Sequence, residues 1–515
     1  MNNSTNKTVM LIDFYSAGSL GLRYLENALE AHGFTVKMVF LKTYDNIHPE
    51  KVTEEEHELL REFIRAEKPV IIGISMITSF YVELVEYVTG YIREMGVPMV
   101  SGGIYATLSP DKCLAFTDYV IRGEGGEPLC ELATALGMAA ENGGTENIGL
   151  ENIQNLVYRN ASSEMILNPM RPLLEDMDVF GFPRVDTGNE WLIDKNKIRN
   201  IEPQKREYAY TISASRGCYF HCSYCGSVNL QRVQKGLGPH VRVRKVESVI
   251  EELVQAKKKM KNLIHIRFVD GVFPIDKEWV AEFAAAYKEK VNLPFKIWVH
   301  PRTTDFDSIK VLRRAGLYKL IMGIQSGSPQ VRNEVFLRPE TQEHILAASK
   351  VYADNRVPLV EYDFILCHPF ETVETIKESY DVCMNLSGRF LLNINGLKFM
   401  PETEIVNIAV AKGIFTMEEF EASLNAPLED QFDFLRLDEY SRNNSADVNL
   451  WYKLVYLTQF RTLRRRVRKF ATNPVKYTKR INRNFKMGMR FKQLRRYTHI
   501  ARMVIKGKLA RWFGR

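Results

Sequence analysis

Acidic residues are missing from one end of this 515-residue chain: residues 451–515 contain 21 Lys or Arg and no Asp or Glu. The other 49 of the 70 basic side chains share residues 1–450 with all 62 acidic ones, so an acidic body carries a strongly basic tail. Long hydrophobic runs are missing as well. The longest apolar stretch, Pro69–Val82, is broken by Ser and Thr and stops at Glu83, short of the roughly 18–20 residues that a spanning helix needs. Met1–Lys7 is polar and leads straight into Val9–Ile12, with no secretory hydrophobic region. These absences predict a cytoplasmic protein. Cysteine is scarce, seven in all, which argues against a disulfide-stapled scaffold. Three of the seven, Cys218, Cys222 and Cys225, nonetheless crowd into eight residues, a spacing that suggests metal or redox chemistry. A composition 45% hydrophobic and 26% charged is globular, and at roughly 100–200 residues per domain the length predicts about three domains.

Over residues 1–145 short apolar runs alternate with helical patterns. Val9–Phe14, Thr35–Leu41, Val70–Ser75, Pro98–Ser101 and Tyr119–Arg122 read as strands, with helices over Leu20–His32, Glu54–Glu67, Tyr81–Met95 and Glu127 to about Ala140. That order predicts an α/β, doubly wound, Rossmann-like sheet whose ligand lies beyond the carboxyl ends of its strands. Residues 146–206, with Pro169, Pro172, Pro183 and Pro203, read as an irregular connector. The alternation resumes over residues 207–400, with strands at Tyr210–Ala214, Leu263–Val269, Phe295–Val299, Lys319–Gly323, Leu359–Leu366 and Phe390–Lys398. Six strand–helix repeats predict a partial (β/α)6 barrel of the TIM type, with its chemistry on the loops after the strands. Residues 401–515 read as a mainly helical region with a basic amphipathic tail.

The segment Ser215-Arg-Gly-Cys218-Tyr-Phe-His-Cys222-Ser-Tyr-Cys225-Gly follows the first of these six strands. Three thiolates at spacings of four and three can hold three irons of a [4Fe–4S] cluster, leaving the fourth iron open to another ligand. Zinc is the rival, with His221 as a fourth donor.

This spacing, with Tyr224 before the last cysteine, resembles the radical S-adenosylmethionine (SAM) superfamily, and the resemblance extends over roughly residues 207–400. It implies a cluster held by Cys218, Cys222 and Cys225, SAM bound at its open iron, and reductive cleavage to a 5′-deoxyadenosyl radical. Phe268-Val-Asp270-Gly-Val-Phe273 and Gly323-Ile-Gln325-Ser326-Gly327 look like further family turns. By order and spacing Tyr224, Gln325, Arg338 and Asp363 match residues that contact SAM in relatives. Two departures stand out: Cys367-His368-Pro369-Phe370-Glu371-Thr372 lacks the family's flanking glycines, and Trp298 stands where relatives place a SAM-contacting Glu.

Residues 8–140 resemble the cobalamin (B12)-binding domain that precedes such barrels. The matching pieces are Gly73-Ile-Ser75, Pro98 to Pro110 around Gly102-Gly103, and Asp118 to Glu127 around Gly123-Glu124. Ser75, Thr78, Gly102 and Gly103 are the expected cobalamin lining, since glycine turns let backbone approach a bulky corrinoid. Many cobalamin proteins ligate cobalt through a His after the first strand; Tyr15 occupies that position here.

In the tail, Leu494, Tyr497, Ala501, Ile505, Leu509 and Trp512 recur at helical spacing among Arg and Lys. Such a helix suits an anionic membrane surface, self-docking on the acidic body or, less well, nucleic acid. The resemblance implies a cobalamin-dependent radical SAM methyltransferase acting on an unactivated carbon of a small-molecule or lipid substrate. It would be supplied with electrons by a donor such as flavodoxin or ferredoxin. A cyclase of the anaerobic magnesium-protoporphyrin type is the enzymatic rival, and a corrinoid or iron–sulfur sensor on nucleic acid the non-enzymatic one.

Overall fold

The computed structural model describes residues 7–16, 18–43, 50–141, 148–424, 426, 431 and 445–491. The chain begins with a nine-stranded sheet built from β1 (Thr8–Phe14), β2 (Thr35–Leu41), β3 (Ile71–Ser75), β4 (Met99–Gly102), β5 (Tyr119–Ile121), β6 (Leu156–Arg159), β7 (Met165–Leu167), β8 (Glu190–Ile193) and β9 (Ile198–Asn200), in the order β7-β6-β5-β4-β3-β1-β2-β8-β9. Every residue of β1 is buried, as a parallel strand covered on both faces requires. Val9 and Leu11 pack with Leu22, Leu29 and Leu132 on one face, while Met10 and Ile12 pack with Leu60, Ile64 and Val88 on the other.

Residues 146–206 depart from the irregular connector expected of them. They supply β6 and β7 to one edge of the sheet and β8 and β9 to the other. Both pairs are antiparallel and only three or four residues long. Strands this short, set between polar turns, carry too little alternation to be seen in sequence.

The second sheet contains β10 (Ala209–Ile212), β13 (His265–Phe268), β14 (Phe295–Val299), β15 (Leu317–Gln325), β16 (Leu359–Ile365) and β17 (Phe390–Asn395), parallel throughout and in chain order. A short antiparallel ladder, β11 (Ser215–Arg216) with β12 (Arg242–Val243), follows β10 and encloses the cysteine loop. Among the described residues no pairing joins β10 to β17, so the barrel is partial, as expected. Its strands alternate: Val360, Tyr362 and Phe364 are buried under the outer helices, while Glu361, Asp363 and Ile365 on the opposite, concave face are half-buried. Beyond residue 400 helices take over. Ala446–Leu457 packs on Val373–Asn385, and the Leu392 N–H donates to Gln459 Oε1 at 3.3 Å. The apolar face expected from Leu494 to Trp512 lies outside the described residues.

Candidate cofactor site at the domain junction

The cysteine loop is pinned from several sides. Ser223 donates its N–H to Phe336 O (3.0 Å) and its hydroxyl to Val335 O (2.6 Å), and Ile405 N–H donates back to Ser223 O (3.0 Å). Phe220 stacks on His300 at 3.5 Å between centroids. Burial raises the thiols of Cys218 and Cys225, and neighbouring thiolates raise them further: Cys222 acts on both, and Cys218 on Cys225. The three sulfurs are therefore neighbours. His221, the fourth donor that a tetrahedral zinc site would take, is exposed, while three neighbouring thiols match a cluster, whose ligands sit on separate irons. Gly271 fits too: a Cβ there would lie 3.2 Å from Cys218 Cβ and 3.5 Å from its Sγ, so a side chain would crowd that sulfur.

Arg338 is tied more closely to the protein than its sequence match to SAM ligands implies. Its Nη1 donates to Tyr224 Oη (2.9 Å) and to Cys222 Sγ (3.6 Å), its Nη2 to Gly323 O (2.8 Å), and its Nε to Glu340. Glu340 in turn faces His300 Nε2 at 3.3 Å. The Arg302 N–H points at His300 Nδ1 (3.2 Å), which leaves the ring proton on Nε2 toward the carboxylate. Burial alone would raise Glu340, but His300 and Arg338 together hold it down at about 2. The chain Cys222–Arg338–Glu340–His300–Phe220 closes back on the cysteine loop, and Tyr224 joins it through Arg338. None of this was readable from sequence, because Arg338 and Glu340 lie more than 110 residues from Cys222.

Gln325 ends β15 with φ 64°, a left-handed backbone, and its side chain makes no hydrogen bond among the described residues. Asp363 faces the lumen from β16 with Oδ1 unpartnered. Burial, then the charge of Glu361, pushes it up to about 7. His368 is buried with both ring nitrogens unpartnered. Glu371 accepts from the Cys367 N–H at 2.8 Å and is pushed up to about 8 by burial. Unsatisfied buried polar atoms around one barrel mouth are where a polar ligand is expected to supply the missing partners.

A cavity of about 550 Å³ joins the two sheets. Ser75, Gly102 and Gly103 line it from the carboxyl edge of the first sheet, and Arg216, Asp270 and Gly271 from the barrel. Gly103 cannot be replaced freely: its φ is +109°, and a Cβ would meet Met76 O at 2.7 Å. Glu124 fastens the two sides, accepting from Arg216 (2.8 Å), Arg242 (2.9 Å) and the Leu174 N–H (2.8 Å). Thr78 does not join this group. It caps a short turn through the Phe80 N–H (3.3 Å) and faces a second cavity. Tyr15 also faces that second cavity, and its hydroxyl donates to Glu50 O at 2.9 Å. A glycine-floored cavity opening onto the cysteine loop fits a corrinoid held between the domains.

A doubly wound domain set against a partial barrel with a three-cysteine loop defines a two-cofactor radical enzyme. The B12 binding domain family matches residues 13–133, and the Radical SAM superfamily matches residues 212–383. This chain belongs to the radical SAM enzymes that carry a B12 binding domain; its cofactors are a [4Fe–4S] cluster, SAM and cobalamin. It is 27% identical over 368 residues to an uncharacterized methyltransferase of Pyrococcus horikoshii, covering 70% of this chain and 71% of that one. It is 25% identical over 297 residues to the anaerobic magnesium-protoporphyrin IX monomethyl ester cyclase of Synechocystis, covering 55% and 51%. The radical SAM methyltransferase TsrM from Kitasatospora setae, solved with tryptophan and a SAM analogue, shares the fold at TM-score 0.62 and 18% identity, over 80% of this chain and 77% of that one. Among the described residues no helix is long and apolar enough to cross a membrane.

Proposed function

We propose that this chain is a cobalamin-dependent radical SAM methyltransferase acting on an unactivated carbon. The observation that carries the reading is the shared cavity: Gly102 and Gly103 of the first sheet and Gly271, against Cys218, line one space. Cys218, Cys222 and Cys225 hold the cluster. Gln325 and Asp363 offer an amide and a carboxyl group to SAM, while Tyr224 and Arg338 brace the loop beside it. Ser75, Gly102 and Gly103 line the corrinoid. When bound, these cofactors supply one-electron reduction, hydrogen abstraction and a transferable methyl group. The protein holds the reacting groups near one another and keeps water out, with Glu124 clamping one domain to the other. No His replaces Tyr15, whose hydroxyl is already engaged, so we assign cobalt no lower ligand from this position.

Electrons come from an external donor of the flavodoxin or ferredoxin kind. Of the basic segment 461–515, the described part docks on the chain's own body through Val467, Phe470, Ile481 and Phe485, which leaves its basic side chains for peripheral contact with an anionic membrane. The test is anaerobic turnover of the reconstituted protein with SAM, reductant, cobalamin and candidate substrates. S-Adenosylhomocysteine together with 5′-deoxyadenosine supports methylation. 5′-Deoxyadenosine alone supports cyclisation, which the Synechocystis relative favours as the second reading. Bound cofactors with neither product would support a sensor.

A further inference from the structure

The concave face of the barrel carries charge that the reading above leaves unused. Strand alternation places Thr211, Arg267, Lys296 and Lys319 there. The register sets them side by side: Thr211 opposite Arg267, Arg267 opposite Lys296, Lys296 opposite Lys319. With strands about 4.8 Å apart, three cationic side chains spring from one row about 10 Å wide. Lys319 is neutralised by an ion pair with Glu361. Arg267 and Lys296 have no such partner among the described residues. The Lys296 ammonium lies over the Trp298 ring, 4.0 Å from its centroid. Burial, then the charges of Lys319 and Arg267, pull it down to about 7 against the smaller opposing charges of Glu361 and Asp363. Arg267 opens onto the second cavity, of about 590 Å³.

Adjacent half-buried cations repel unless an anion answers them. Glu361, engaged by Lys319, and Asp363, pushed up by burial, answer Lys296 only in part. The two acids on the cavity leave Arg267 unanswered: Asp13 is pushed up by burial, and Glu207 is exposed. The same cavity is lined by aromatic side chains, with Tyr15 stacked on Tyr81 at 5.2 Å and Phe80 also on its wall. The row borders Asp363 among the expected SAM contacts but lies well below Gln325. Lys319 and Gln325 are six residues apart on β15, about 20 Å at the rise of a strand.

We propose that Arg267 and Lys296 form an anion subsite that holds a carboxylate or phosphate of the substrate, with the substrate's apolar or aromatic body against Tyr15, Phe80 and Tyr81. The assignment rests on the reading of the chain as an enzyme whose substrate enters the barrel. A guanidinium fork beside an ammonium gives charge-assisted hydrogen bonds to either anion. Anchored there, a small acid would direct its far end toward the cluster mouth of the barrel.

The test is isothermal titration of the protein loaded with cluster and cobalamin, without SAM or reductant, so that its outcome is independent of turnover. The probes are phenylacetate, phenyl phosphate and the uncharged 2-phenylethanol. At least one of the two acids should bind and the alcohol should not. Arg267→Gln and Lys296→Met should each weaken acid binding by about tenfold or more, with cobalamin content and cluster absorbance unchanged. Lys296→Arg, which keeps the charge, should retain binding. Equal binding of the alcohol, no binding of either acid, unchanged affinity in the neutral variants or loss of binding in Lys296→Arg would overturn the proposal. So would loss of cobalamin from the neutral variants, which would assign the cations to the cofactor's own phosphodiester.

Discussion

Arg23, in the first domain, and Lys296, in the second, are both cations taken largely out of water, and the fold treats them oppositely. Arg23 is fully buried and reaches Glu202 at 2.9 Å and Glu190 at 3.6 Å. Lys42 nearby is likewise paired with Glu56 at 2.9 Å. Lys296 makes no ion pair among the described residues: its ammonium lies over Trp298, with Arg267 and Lys319 as cationic neighbours and the charges of Glu361 and Asp363 acting more weakly on it. Arg23 and Lys42 are closed by carboxylates of their own domain and serve the fold, whereas Lys296, on the concave face of the second sheet, has no ion pair among the described residues. A paired buried ion gives little reason to expect a ligand, whereas an unpaired one asks for a partner that the chain does not supply.

The comparison predicts a ranked set of effects. The largest belongs to the cysteine loop itself: Cys222→Ala should abolish cluster assembly and formation of 5′-deoxyadenosine, read by iron content and product analysis. Full cleavage of SAM by that variant would remove the cluster assignment. Next, Arg23→Met strands two buried carboxylates and should cost about 3–5 kcal/mol in urea unfolding. Lys296→Met, by contrast, removes an unpaired cation and should be neutral or stabilising. Equal destabilisation by the two variants would erase the distinction between closed and open charge.

Asp363 gives a smaller effect with a definite pH signature. Its carboxyl is raised from 3.8 to about 7, so between those values the native state holds a proton that the unfolded state has lost. The contribution is fully present below pH 4 and is lost as pH rises through 7. Asp363→Asn cannot ionise, so its stability advantage over the parent should grow across that window to on the order of 1–4 kcal/mol. Urea midpoints at pH 5 and pH 8 measure it, and a constant difference between the two would contradict the burial argument.

Much of this was legible in the sequence, for physical reasons that differ along the chain. β1 and β3 announce themselves as continuous apolar runs because both of their faces are covered; β16 and β17 alternate because one face looks into the lumen. The cysteine spacing is local, so it survives in one dimension. The strands β6–β9 did not, being too short to show a period. Thr78 was grouped with Gly102 and Gly103 by proximity to Ser75, but its hydroxyl is taken by the turn it caps and it faces the other cavity. The cation row needs strand register: Arg267, Lys296 and Lys319 are separated by 20 to 30 residues and become neighbours only when the sheet is paired.

Arg338 offers the finest discrimination between a brace and a ligand. It donates to Cys222 Sγ at 3.6 Å and carries a positive charge beside the cluster position. A cation and a hydrogen bond at a cluster sulfur favour the reduced, more negative state and raise its potential. Removing an interaction worth about 1.4 kcal/mol corresponds to about 60 mV for one electron. Arg338→Gln should therefore lower the midpoint potential of the loaded protein by about that amount in a titration followed by electron paramagnetic resonance. Glu340→Gln deletes the opposite charge from the same chain and should raise it. Electrostatic coupling requires the two shifts to differ in sign. Shifts of the same sign would mean that both variants merely loosen the loop, and that the contact with Cys222 does not tune the cluster.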